Sequence, residues 1–198
     1  MSKLFVDEIV HQSSQGSGTI TIGASGETIN VPSGATLDLS NATQTGVGGT
    51  NTPAFLARLS SDQSVSNGTA TKILLDQTVY DTASAFASNK FTVPSGQDGT
   101  YALYFSVDIN AGNHSVVQYV QAMIYKNGSH LTNSSGLDFR NNYGGYANQI
   151  TCTIAVPLVA TDYIELYMDQ AQTSGTPTVL STNSGRSRTY LGGYKLIT

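Results

Sequence analysis

Along much of the chain, apolar and polar residues alternate with a period of two. Tyr101, Leu103, Phe105, Val107 and Ile109 alternate with Ala102, Tyr104, Ser106 and Asp108. That pattern predicts a half-buried strand of about ten residues. Tyr163, Glu165 and Tyr167 alternate in the same way with Ile164, Leu166 and Met168, predicting a strand over Asp162–Asp169. Strands are also predicted over Val117–Tyr125, Ala147–Leu158, Thr189–Ile197 and Ala54–Leu59, with pieces around Ile73–Tyr80 and Lys90–Val93. Asn127-Gly128, directly after Val117–Tyr125, is the strongest two-residue hairpin signal. About eight to ten short strands in one stretch is the arithmetic of a β-sandwich.

The first fifty residues follow a different pattern. Thr19-Ile20-Thr21-Ile22, Thr28-Ile29-Asn30-Val31 and Thr36-Leu37-Asp38-Leu39 share a Thr-apolar-x-apolar unit, spaced nine and then eight residues apart. Gly23 to Gly26 and Pro32-Ser33-Gly34 separate the units as turns. A single chain of such units buries too little surface to offset its ordering entropy. Three chains wound about one axis would supply a shared interior, so a repetitive β-stem is predicted. No aromatic residue lies between Val6 and Ala54, and aromatics recur steadily from Phe55. The boundary is set near Thr50–Pro53, giving a terminal peptide 1–18, a stem and linker 19–52, and a head 53–198.

Composition supports an all-β reading. Ser, Thr and Asn supply 60 of the 198 residues and Gly another 20, a mixture unfavourable to helices and suited to strands and tight turns. Only 11% of residues are charged and the net charge is −4, which opposes a general nucleic-acid binder. Eleven Tyr and six Phe oppose disorder. The single Cys152 excludes an internal disulfide and is expected as a buried small hydrophobe between Ile150 and Ile154. The opening MSKLFVDEIVH lacks the form of a secretion signal, and no run approaches the ~20 apolar residues of a membrane span. Neither nucleic acid nor membrane insertion is expected.

Residues 53–198 resemble, in order, the complement globular-head and tumour-necrosis-factor-like jelly roll. Pro53-Ala54-Phe55-Leu56-Ala57-Arg58 is similar to that family's first strand. Phe91-Thr92-Val93-Pro94, followed by Gly99-Thr100-Tyr101-Ala102-Leu103, is similar to its core motif. Ile124-Tyr125-Lys126-Asn127-Gly128 resembles its hairpin, Asp162-Tyr163-Ile164-Glu165-Leu166 its penultimate strand, and Thr189-Tyr190-Leu191-Gly192-Gly193-Tyr194-Lys195-Leu196 its last. Two extra residues between Phe91 and Gly99 predict a longer turn there, and Leu103 and Tyr190 replace the usual Phe. No collagen-like stalk precedes the head. The resemblance implies a homotrimer. The leader, with Leu4-Phe5-Val6-Asp7-Glu8-Ile9 and then Val31-Pro32-Ser33-Gly34-Ala35-Thr36-Leu37-Asp38-Leu39-Ser40, resembles the amino termini of phage tail-fibre and virion structural proteins.

No catalytic constellation emerges. His11, His114 and His130 have no metal-ligand spacing, and Walker-loop, nucleophile-elbow and paired-Cys zinc motifs are missing. Asp81, Asp98 and Asp138 are the scattered carboxylates that spatial pairing would have to bring together. Asp108, Asn110 and Asn113 are oxygen donors of the type Ca²⁺ takes, without the spacing of a calcium loop. No cofactor, metal or enzymatic activity is expected. The stretch 136–146 mixes aromatics, amides and one Arg, side chains suited to stacking on sugars or anchoring protein contacts. Asp138, Phe139, Arg140, Asn142, Tyr143 and Tyr146, with Arg186 on a second loop, are therefore the candidate receptor contacts. Leu4, Phe5, Ile9 and Val10 are the candidate anchor to other virion proteins.

The sequence expectation is thus a trimeric virion protein, a tail or head fibre released by lysis, whose head adheres to a host surface glycan or protein. A capsid decoration protein and a free carbohydrate-binding or signalling ligand are the alternatives.

Overall fold

Among the described residues, eight strands of five residues or more carry the fold, and seven shorter ones trim its edges. In chain order they are β1 (Ala54–Arg58), β2 (Gln63–Ser64), β3 (Thr71–Lys72), β4 (Gln77–Asp81), β5 (Phe86–Ala87), β6 (Lys90–Thr92), β7 (Gly99–Asn110) and β8 (Val117–Lys126). There follow β9 (Ser129–Gly136), β10 (Asn148–Leu158), β11 (Tyr163–Gln172), β12 (Thr178–Leu180), β13 (Thr182–Asn183), β14 (Arg186–Ser187) and β15 (Tyr190–Lys195). The structure is a computed structural model. It describes residues 28–36, 51–110, 116–136, 148–183 and 186–196, without the side chains of 133–136, 148, 182–183 and 186–187.

The first sheet runs β2-β12-β7-β15-β1-β4, with β10 on the other side of β7. The second runs β5-β6-β11-β8-β9, with β3 also on β11. All ladders between named strands are antiparallel. The sheets close on an apolar layer in which Phe55 stacks on Phe91, centroids 4.3 Å apart at 7°, with Phe86 and Tyr101 alongside. Leu103, Phe105, Val107 and Ile109 from β7 enter this layer, and Ile124, Ile164, Leu166 and Met168 enter from the second sheet. The alternation read along Tyr101–Ile109 and Tyr163–Met168 is the alternation of core and outer face. This is the jelly-roll sandwich expected for the head.

Three local expectations are met. Asn127 and Gly128 have φ of 53° and 77°, the pair of positive values a two-residue primed turn needs. The extra residues after Phe91 form a turn in which Gln97 N donates to Pro94 O at 3.1 Å, with Gly96 at φ 73°. In the first unit, Met1–Val47, Pro32-Ser33-Gly34-Ala35 is a turn closed by Ala35 N donating to Pro32 O at 3.1 Å, with Gly34 at φ 86°.

Three others change. The piece around Ile73–Tyr80 is two strands in different sheets: the chain leaves β3 after Lys72, buries Ile73 and Leu75 as it crosses the sandwich, and joins the first sheet at Gln77. Strands exceed the expected eight to ten because two- and three-residue bridges are invisible to periodicity. Cys152 is half-buried rather than buried; it packs against the core from β10, which among the described residues has a ladder only with β7. Burial pushes its thiol above the usual range. Within the described part of the segment expected to form a stem, Thr28–Val31 belongs to no strand of this chain, and Ile29 and Val31 are 59% and 44% exposed. The other repeat units and the anchor candidates Leu4, Phe5, Ile9 and Val10 lie outside the described residues.

Candidate functional site: a tyrosine face on the first sheet

Opposed residues of an antiparallel pair share a face, so the ladders define what the first sheet presents away from the core. Leu56 of β1 opposes Tyr80 of β4 on one side and Gly192 of β15 on the other. Gly192 in turn opposes Tyr104 of β7, and Tyr104 opposes Thr153 of β10. One row higher and lower lie Tyr190 with Ser106, and Tyr194 with Ala102. Four tyrosines from three sequence regions therefore meet on one outward face.

They are in contact. The Tyr80 and Tyr104 hydroxyls are 3.2 Å apart and share a hydrogen bond, and Tyr104 meets Tyr190 edge-on at 6.4 Å. Burial pushes the Tyr104 hydroxyl above the ordinary phenol range, and the Tyr80 hydrogen bond and neighbouring Tyr190 and Tyr194 push it further. Gly192 makes the arrangement possible: a Cβ there would stand 2.5 Å from Tyr104 Cζ. The rest of this face is Ala54, Leu56, Ala102, Thr151, Thr153 and Ala155, small or uncharged.

Charge is confined to the ends. Arg58 Nε donates to Gln77 Oε1 at 2.8 Å at one end. At the other, Asp108 is fully buried and its Oδ2 accepts from Arg188 Nη1 at 3.1 Å. Burial raises the Asp108 carboxyl, opposed by Arg188 and by the backbone N–H of Ile109, and its Oδ1 has no hydrogen-bond partner among the described residues. Asp108 N donates to Thr189 Oγ1 at 3.1 Å, and Thr189 Oγ1 in turn donates to Leu180 O at 2.6 Å. This network ties down the neck of the β13–β14 hairpin, where Ser181 N and Oγ also donate to Asp62 Oδ1.

Several sequence candidates are thereby placed. Asp108 and Asn110 share the outward face of β7, but Asp108 is committed to Arg188; Asn113 lies outside the described residues. Among the described residues no group of three or more His, Cys, Asp or Glu is arranged to hold a metal. Asp81 accepts from Ala83 N and Phe86 N and so fixes its own turn, and Asp98 accepts from Ala160 N and so ties its turn to the one between β10 and β11. A cleft of about 480 Å³ between Leu59, Asp62, Gln63, Leu74, Asp76 and Asn89 has its carboxylates similarly engaged, Asp76 by the Ser60 N–H and hydroxyl. Asp138, Phe139, Arg140, Asn142, Tyr143 and Tyr146 lie outside the described residues. Arg186 pairs with Asn183 across β13–β14, and only its backbone is described. Sequence reasoning missed the tyrosine face: alternation put Tyr104 outward, but only the register of β1, β4, β15 and β7 brings the four rings together.

No protein-family model matches the chain, and no curated protein sequence does. Solved structures do. Murine APRIL at pH 8.0 superposes with a TM-score of 0.51 at 17% identity, over 72% of this chain and 98% of that one. The Eiger tumour necrosis factor of S. frugiperda gives 0.48 at 13% identity, over 72% and 91%. The globular domain of the zebrafish complement 1qA protein gives 0.46 at 11%, over 73% and 97%. The APRIL match, at this identity, establishes the shared jelly-roll fold and nothing beyond it.

Proposed function

We propose that the chain is a non-enzymatic, homotrimeric virion protein, a tail or head fibre whose jelly-roll head adheres to the host surface. The tyrosine face carries the trimer: half-exposed aromatic rings and small residues, with charge only at the margins, have the composition of an interface core. Three copies turning this face inward cover Leu56, Tyr104, Tyr190 and Tyr194 and leave the second sheet outward. A threefold stem would give Ile29 and Val31 the cover that one chain does not provide. The virion assignment rests on the resemblance of the first forty residues to phage structural proteins, with Leu4, Phe5, Ile9 and Val10 as the anchor. Three heads on one particle turn weak sites into avid ones. The loop bearing Arg140 and Tyr143 remains a candidate receptor contact.

Light scattering on the full chain tests the oligomer. The expected mass is three times 20.8 kDa, falling to a folded monomer in Tyr104→Arg; a wild-type monomer would overturn the reading. Labelling intact particles with an antibody to the head tests the rest: label on fibres is expected, and label spread over the shell would favour a decoration protein.

A further inference from the structure

We draw no further inference here: the strongest candidate, the cleft beside β2 lined by Leu59, Asp62, Leu74 and Asp76, holds its two carboxylates with hydrogen bonds from Ser181 and Ser60, and nothing among the described residues shows what would occupy it.

Discussion

The ring of Tyr104 occupies the space directly over Gly192: a Cβ at that glycine would stand 2.5 Å from Tyr104 Cζ and 2.6 Å from its hydroxyl. The next residue, Gly193, faces the opposite way, where a Cβ would meet Leu103 Cδ2 at 2.6 Å, the Ala102 carbonyl at 3.0 Å and Phe55 Cε1 at 3.1 Å. Two adjacent glycines thus serve two sides of one sheet. Gly192→Ala confronts the far end of a half-exposed side chain, which can swing outward, so the isolated head should lose under about 1 kcal/mol. Gly193→Ala confronts backbone and a packed core and should cost about 1–3 kcal/mol. Urea melts at low protein concentration measure both. If the proposed trimer forms through this face, light scattering should show it weakened only where Tyr104 has been displaced, so Gly192→Ala would be the folded but dissociated variant.

That pair also marks what could be read from the sequence. Alternation separated inward from outward residues in β7 and β11 because each strand is long and buried on one side. Asn127-Gly128 announced its turn because few residues accept positive φ twice in succession. Gly192-Gly193 was legible only as part of a last-strand resemblance. Its purpose depends on β15 lying between β1 and β7, a pairing of segments about 90 and 130 residues from one another that no local pattern encodes. The same holds for the ion pair between Lys72 and Glu165, and for the division of the Ile73–Tyr80 region between two sheets.

Arg188 should matter through Asp108. Removing the guanidinium in Arg188→Ala leaves a buried carboxylate with both oxygens short of donors, at a cost of about 1–3 kcal/mol near neutral pH, moderated by the partial exposure of Arg188. Asp108→Asn should be better tolerated, since it removes the charge that burial penalises. The pH dependence has a definite sign. Burial raises Asp108 above its ordinary 3.8, so its contribution to stability is full below that value and is lost as pH rises through the higher folded pKa. Thermal melts at pH 4 and pH 7 should therefore show Asp108→Asn gaining on wild type at the higher pH. A gain that was larger at pH 4 would reverse the assignment.

Tyr101 gives the opposite end of the scale. It is fully buried, donates to Gln97 O at 2.7 Å, and burial with the nearby Asp98 charge pushes its hydroxyl up to about 12. The folded pKa lies above the ordinary 10.0, so the stabilisation is complete below pH 10.0 and is lost as pH rises through about 12. Ultraviolet titration of phenolate should show late-ionising groups, of which the Tyr101 one is lost in Tyr101→Phe while the Tyr104 one persists. That variant should lose about 0.5–1.5 kcal/mol at neutral pH, the net worth of one hydrogen bond.

Asp162 holds the hairpin end of the sandwich together. Its Oδ1 accepts from Asn127 Nδ2 at 2.7 Å, and its Oδ2 pairs with Lys126 Nζ at 2.8 Å and accepts from Val159 N at 2.9 Å. Asn127 completes the link, with its Oδ1 accepting from Tyr163 N at 2.8 Å and its own N–H donating to Tyr163 O at 3.0 Å. Burial alone would raise the Asp162 carboxyl, but Lys126, the Val159 N–H and Asn127 together bring it below its ordinary value. Its contribution is thus present above 3.8 and lost as pH falls through the depressed folded pKa. Asp162→Ala should destabilise the head by about 1–3 kcal/mol at pH 7, because the donors of Asn127 and Val159 lose a buried acceptor. The deficit should shrink on acidification, as wild type protonates the same group. Hydrogen exchange should quicken first at the amides of Val159 and Tyr163, and protection there unchanged from wild type would mean that the carboxylate does not hold this corner.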